Sequence, residues 1–320
     1  MAVAILLVGG LGTRLMPLTR NTPKPMLTVA GIPVTEHQLM MAKAAGIKEI
    51  VLATSYLSEV FTPYFGDGSK WGMNIKYAVE KEPLGTGGAI ANAAQLLETK
   101  ESIVILNGDV LSSHDLSEQI RQHEANDADV TLHLTQVEDA RAFGCVPTDV
   151  QGRVTAFLEK MDSPVTNQIN AGCYVFNPRV ISAIPLETVV SVERETFPKL
   201  VSDGAKVYGY LENAYWLDIG TPKALLKAST DIVLRSGPGL VMPGAQVDAT
   251  AVIAGGSCIG QGSAVGAGTN ISGSVVEAGV KIGRDVVIEN SFVATGAIIL
   301  DGAKIGATFV TKEEILPIPQ

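Results

Sequence analysis

Glycines, two cations and two carboxylates stand where strands should end, and together they suit phosphate chemistry. The run Leu7-Val8-Gly9-Gly10-Leu11-Gly12-Thr13-Arg14 follows an apolar stretch at 2–8. Glycines after a buried strand let backbone N–H groups approach phosphate oxygens without Cβ interference. Arg14 adds a charge-assisted, bidentate contact. The spacing is neither a dinucleotide G-x-G-x-x-G nor a P-loop. Alone, such a turn more often only reverses the chain. Lys24 sits between Pro23 and Pro25, a stiff setting that aims an ammonium.

Asn107-Gly108-Asp109 follows the apolar run 103–106 and places Asp109 at the carboxyl end of a strand, the edge where open α/β sheets bind ligands. A carboxylate there suits Mg²⁺, which shares its oxygen ligands with phosphates. Asp218 has a similar setting in Trp216-Leu217-Asp218-Ile219-Gly220-Thr221-Pro222. One such Asp is ordinarily a helix cap; two, with a lysine-bearing loop, point to a metal–phosphate site.

Glu80 opens the loop Glu80-Lys81-Glu82-Pro83-Leu84-Gly85-Thr86-Gly87-Gly88. Its carboxylate matches the N1–H and N2–H₂ donor pair of guanine, and the glycines can lie against a flat base. On local residues a capped helix start is an equal reading. Glu159-Lys160 ends the run 154–158 and Asn170 begins another. A lysine there can hold a phosphate monoester, and Glu and Asn can read sugar hydroxyls, although each alone reads as a surface residue. His37, His114, His123 and His133 have no triad partners and read as solvated or structural.

The elements that must position these groups change character along the chain. Apolar runs at 2–8, 49–54, 75–79, 103–106, 130–134, 154–158, 173–176 and 207–210 read as strands. Helical patterns at 36–45, 89–97, 116–126 and Pro222–Leu234 lie among them. That alternation predicts an open α/β sheet. After Ser236-Gly237-Pro238-Gly239, apolar β-branched residues recur every six positions at Val241, Val247, Ile253, Ile259, Val265 and Ile271. The register slips by one and resumes at Val276, Ile282 and Ile288, then slips again to Val293, Ile299 and Ile305. A six-residue period with small neighbours predicts a β-helix rather than a sandwich, which would alternate at period two.

A net charge of −9 argues against general nucleic-acid binding or attachment to anionic membranes. The charge is uneven: no Asp or Glu precedes Glu36, whereas Arg14, Arg20 and Lys24 all do. Such a stretch suits a site kept positive for an anionic ligand; a short segment left without acids by chance is the bland alternative. Cys145, Cys173 and Cys258 are scattered, with neither disulfide nor metal spacing, and a reducing cytoplasmic setting is expected. The run 2–8 is too short for a membrane span and lacks a basic n-region.

The combination resembles the sugar-1-phosphate nucleotidyltransferases, most closely the mannose-1-phosphate guanylyltransferase (GDP-mannose pyrophosphorylase) branch of actinobacterial type. The matching segments are LLVGGLGTRLMPLT, TPKPML, EPLGTGGAI, NGDVL, AFGCVPTD, FLEK, INAGCYVF, SVERETFP and YWLDIGTP, in the family's order. The resemblance implies a Rossmann-like open mixed sheet at 1–235, a left-handed parallel β-helix of hexapeptide repeats at 240–310, and a tail at 311–320. It implies GMP transfer from GTP to mannose 1-phosphate, giving GDP-mannose and pyrophosphate with Mg²⁺. It places Gly10, Gly12 and Arg14 around the triphosphate and Lys24 near the α-phosphate. Leu7, Glu80 and Gly85 would line base and ribose, with Gly9, Thr13, Pro83 and Asn107 completing the nucleotide set. Asp109 and Asp218 would hold the metal. Gly144, Glu159 and Asn170 would hold the sugar, and Lys160 its phosphate.

Met16 stands where relatives often carry a basic residue, and Met161 where a proline is common. A homo-oligomer through the β-helix is expected, though the helix ends early. The same chemistry with glucose 1-phosphate and dTTP or UTP, or a non-catalytic regulatory relative, are the alternatives. Acyl transfer is disfavoured, because no histidine lies in the repeats.

Overall fold

A computed structural model describes residues 2–10, 12–55 and 57–318. The chain forms two compact units that interleave along the sequence, where the sequence reading placed a single break near 235–240. One unit comprises Met1–Leu11 and Thr35–Trp216, the other Gly12–Val34 and Leu217–Gln320.

The first unit is built on a seven-stranded sheet. Its strands lie in the order Val207–Leu211, Val130–Gln136, Gln168–Phe176, Ile103–Asn107, Val3–Leu7, Glu49–Thr54, Asn74–Val79. Gln168–Phe176 runs antiparallel to both neighbours, and the remaining pairs are parallel. The sheet is therefore mixed. Continuous apolar runs make the central strands because both faces are covered: Ile5, Val104, Ile105 and Val51 are fully buried. The antiparallel strand extends five residues before the expected 173–176, past a register shift between Leu132 and Leu134. There Leu132 pairs with Tyr174 but Leu134 with Asn170, a bulge that sets extra residues of this strand against its neighbour.

The expected strand at 154–158 is not one. Val154 and Leu158 each make an isolated bridge, to Thr148 and Cys145. Asp149 accepts hydrogen bonds from the backbones of Gln151 and Arg153, and Gly152 has φ +80°, so the chain turns sharply beforehand.

The second unit contains the β-helix, three parallel sheets of short strands. Val241 pairs with Ile259, Ile259 with Val276, Val276 with Val293 and Val293 with Val310. Each coil thus contributes one side chain per face, and Ile259, Ile271, Val276, Ile288 and Val293 are fully buried. The two slips in the six-residue period have one cause: both fall at the same corner. There the later coils turn through one left-handed residue, Gly273, Asn290 or Ala307. The first coil uses two, Gly255 and Gly256.

The sheet next to that corner is buried on its outer face too, at Cys258, Val275, Phe292 and Phe309. The tail adds a strand that the sequence did not announce: Ile315–Pro317 pairs antiparallel with Thr308–Val310. Helix Pro222–Leu234 begins as its sequence dictates, with Thr221 accepting from the Ala224 amide and Pro222 in the first turn. Among the described residues no helix is long and apolar enough to cross a membrane.

Candidate active site

In the first unit, the carboxyl end of strand Val3–Leu7 opens on a cleft of ≈ 590 Å³, a size that admits a nucleotide. It brings together Leu7, Gly9, Gly10, Glu80, Pro83 and Gly85, with Ala53, Ser55 and Thr86 beside them. A Cβ at Gly9 would fall 2.8 Å from the Ser55 Oγ, which would have to turn away, and Gly10 has φ +121°, a conformation that favours glycine.

Glu80 carries the polar character of this cleft. Its Oε2 accepts a long bond, 3.4 Å, from the Leu84 amide, while its Oε1 is buried with no hydrogen-bond partner among the described residues. Burial pushes the carboxyl above its ordinary pKa. A buried acceptor left unsatisfied costs about 1–3 kcal/mol, which a ligand donor would recover. The glycines that follow divide their work. Gly85 lines the cleft. Gly87 and Gly88 do not face a base: the Gly87 amide donates to the Val190 carbonyl at 2.7 Å. A Cβ at Gly88 would meet the Thr188 carbonyl oxygen at 2.4 Å.

Asp109 follows strand Ile103–Asn107, fourth of the seven across the sheet. Gly108 makes the turn possible, since a Cβ there would sit 2.3 Å from the Leu7 carbonyl oxygen. Gln38 clamps the same turn, its Nε2 donating to the carbonyls of Asn107 at 2.6 Å and Val110 at 2.9 Å. Sequence reasoning missed Gln38, which sits within a helix and belongs to no motif. The Asn107 Oδ1 is buried without a hydrogen-bond partner among the described residues.

The expected sugar residues also come together. Cys145 and Leu158 exchange backbone hydrogen bonds of 2.8 and 2.9 Å, which sets Gly144 against Glu159. A Cβ at Gly144 would lie 3.1 Å from the Glu159 Oε2. The Asn170 amide donates to the Gly144 carbonyl at 2.9 Å, and its side chain donates to the Tyr174 hydroxyl at 2.9 Å. Asn107 reaches the same place: a Cβ at Gly172 would be 3.0 Å from its Nδ2. Lys160 is exposed, at φ +27°. Trp216 was not singled out by the sequence; its Nε1 donates to the Ala171 carbonyl at 2.9 Å, and its ring meets Phe143 edge-on.

In the second unit Arg14, Lys24 and Asp218 form a charged group. Gly12 takes a left-handed conformation ahead of the turn Thr13–Leu15, and a Cβ there would press on Thr19 and Lys24 at 3.0 Å. Lys24 is 9% exposed, and its Nζ lies 3.9 Å from the Asp218 Oδ1. That oxygen also accepts from the Gly220 amide at 2.7 Å. A Cβ at Gly220 would lie 2.6 Å from the Arg14 Nη2. Asp218 does not cap the following helix, because Thr221 does.

The three cysteines are free and buried. Three of the histidines are internal: His114 and His133 stack at 3.8 Å, and His123 bonds Thr131. Of these six, only Cys145 enters the site described above, and it does so through its backbone.

Comparison with known proteins agrees with this chemistry. Residues 3–234 match the nucleotidyl transferase family. A mannose-1-phosphate guanylyltransferase of Mycobacterium tuberculosis is 49% identical over 297 residues, 89% of this chain and 82% of that one. Mannose-1-phosphate guanylyltransferase 1 of Arabidopsis thaliana is 34% identical over 332 residues, 98% and 91% of the two chains. Among solved structures, HddC from Yersinia pseudotuberculosis complexed with GMP-PN superposes with TM-score 0.61 at 29% identity. That match covers 72% of this chain and 100% of HddC. The chain belongs to the nucleotidyl transferase family.

Proposed function

We propose that this protein transfers GMP from GTP to mannose 1-phosphate, releasing pyrophosphate and GDP-mannose. The observation that carries the nucleotide choice is the Glu80 carboxylate, with one orphaned oxygen in a nucleotide-sized cleft. Guanine presents the donor pair that this acceptor lacks. Similarity to the Mycobacterium tuberculosis enzyme supports the same sugar.

The phosphate oxygen of mannose 1-phosphate attacks the α-phosphorus in line, its new P–O bond forming as the bond to pyrophosphate breaks. No covalent intermediate on the protein is needed, so catalysis is positioning and charge neutralisation. Leu7, Glu80 and Gly85 line base and ribose, with Gly9, Pro83 and Asn107 beside them. Gly10, Gly12, Thr13 and Arg14 take the triphosphate, and Lys24 offsets charge at the α-phosphate. Gly144, Glu159 and Asn170 fix the sugar hydroxyls, and Lys160 its phosphate. Asp109 and Asp218 offer oxygen donors only, the class Mg²⁺ takes, and they would hold it. A bound Mg²⁺ would neutralise phosphate charge.

A matrix of GTP, dTTP, UTP and ATP against mannose and glucose 1-phosphates, followed by pyrophosphate release, tests the proposal. GTP with mannose 1-phosphate should dominate. Turnover confined to dTTP and glucose 1-phosphate would overturn it.

A further inference from the structure

The residues around Lys24 have little structure of their own. Between Gly12 and Val34 the chain makes three single 3₁₀ turns and a two-residue ribbon, Thr28–Val29 against Ile32–Pro33. Short turns of this kind do not hold a geometry unaided. The ribbon is held instead by its own unit. The Ala30 amide donates to the Ser229 Oγ at 2.9 Å, and Gly31 lies so close to Met242 that a Cβ would be 2.5 Å from its sulfur. Thr28 reaches the β-helix: its hydroxyl donates to the Glu277 Oε1 at 3.4 Å.

Glu277 is out of place by the logic of the repeat. It follows the inward Val276 at a position occupied in the other coils by Met242, Gly260, Ala294 and Thr311. It is an acid at a corner otherwise small or neutral, and it is fixed on every side. Its Oε2 accepts from the Thr295 amide and hydroxyl at 2.9 and 3.0 Å. Its carbonyl accepts from the Ser263 hydroxyl at 2.8 Å. The repeat therefore presents a rigid acceptor to Thr28. From Thr28 the connection to Lys24 is one turn: the Leu27 amide donates to the Lys24 carbonyl at 3.1 Å.

We propose that Glu277 is a positioning residue for Lys24, acting through Thr28, so that the β-helix sets the aim of the catalytic ammonium. The inference rests on the reading of Lys24 as the cation at the α-phosphate. It gives the repeat a part in turnover.

Thr28→Val removes the hydroxyl while keeping the shape, and Thr28→Ser keeps the hydroxyl. Thr28→Val should lower kcat roughly tenfold, as the loss of one oriented hydrogen bond implies, with KM for mannose 1-phosphate within about twofold. Thr28→Ser should restore most of the loss. In a Lys24→Ala background Thr28→Val should have no further effect, because the group it aims is gone. Brief acetylation with acetic anhydride, mapped by mass spectrometry, should modify Lys24 faster in Thr28→Val and in Glu277→Ala than in wild type. Thr250→Ala, elsewhere on the β-helix, should leave activity and Lys24 labelling unchanged. Wild-type kcat and wild-type labelling in Thr28→Val would overturn the proposal, as would an equal further loss in the Lys24→Ala background. If the wild-type protein used a different nucleotide and sugar phosphate, the substrate reading would fail alone. The labelling, and the same variants assayed on that other pair, would still decide this one.

Discussion

At the scale of single residues, the proposed nucleotide choice rests on Glu80. Its unsatisfied Oε1 and elevated pKa describe a carboxylate waiting for donors. Glu80→Gln replaces one acceptor with a donor that would face guanine N–H groups. The KM for GTP is expected to rise about 10- to 100-fold, the cost of mispairing a buried polar group. Inosine triphosphate lacks the N2 amino group, so the wild-type preference for GTP over it should shrink in the same variant. An unchanged ratio would remove Glu80 from base recognition. For Lys24, Lys24→Ala should lower kcat by about 10²–10³ with modest change in KM, as for one lost donor to a developing charge. Steady-state kinetics separates the two constants. Arg14 and Lys24 stood out in the sequence because motif and charge agreed: the acid-free start of the chain holds both, whereas Glu80 read equally as a capped helix start. Gln38 did not stand out, because a glutamine inside a helix announces nothing until its two carbonyl partners are seen.

At the scale of elements, the long periodic segments were readable and the irregular ones were not. Helix Pro222–Leu234 has its cap, its first-turn proline and its length written in sequence. The run 154–158 has strand-like residues yet forms only two bridges, because Asp149 and Gly152 turn the chain next to it. The partner of Gly108 is equally non-local: the Leu7 carbonyl that excludes a side chain lies a hundred residues away. Gly108→Ala should therefore destabilise the first unit by about 1–3 kcal/mol, the usual penalty for overpacking. The urea midpoint should fall accordingly.

The stacked His114 and His133 make a second prediction for this unit. Burial lowers their pKa values to about 4 and about 2, so both remain neutral when folded, while the unfolded rings titrate near 6.5. Their contribution to stability is full above that value and is lost as pH falls toward the folded pKa. Each ring should cost about 1.4 kcal/mol per pH unit below 6.5. His133→Phe should flatten the dependence of the urea midpoint between pH 6.5 and 5. An unchanged slope would show that the buried ring does not govern it.

At the scale of the molecule, the change in composition near Ser236 was easy to see, but the allegiance of Gly12–Val34 was not. Sequence order attaches that segment to the first strand, whereas its contacts assign it to the same unit as the β-helix. The reason is chemical: its anchors, Ser229, Met242 and Glu277, lie about 200 to 250 residues later. If the two units are also units of stability, weakening the repeat should loosen the segment selectively. Ile288 is fully buried inside the β-helix, and Ile288→Ala should cost about 2–5 kcal/mol through lost contact and cavity. Hydrogen exchange read by mass spectrometry should then rise across 217–318 and equally across 12–34. The strands Val3–Leu7, Glu49–Thr54 and Ile103–Asn107 should keep their wild-type protection. Exchange that rises in the repeat but not in 12–34 would mean that the segment takes its stability from the sheet. A rise everywhere would mean that the molecule unfolds as one body, and the two units would then have no independent energetic meaning.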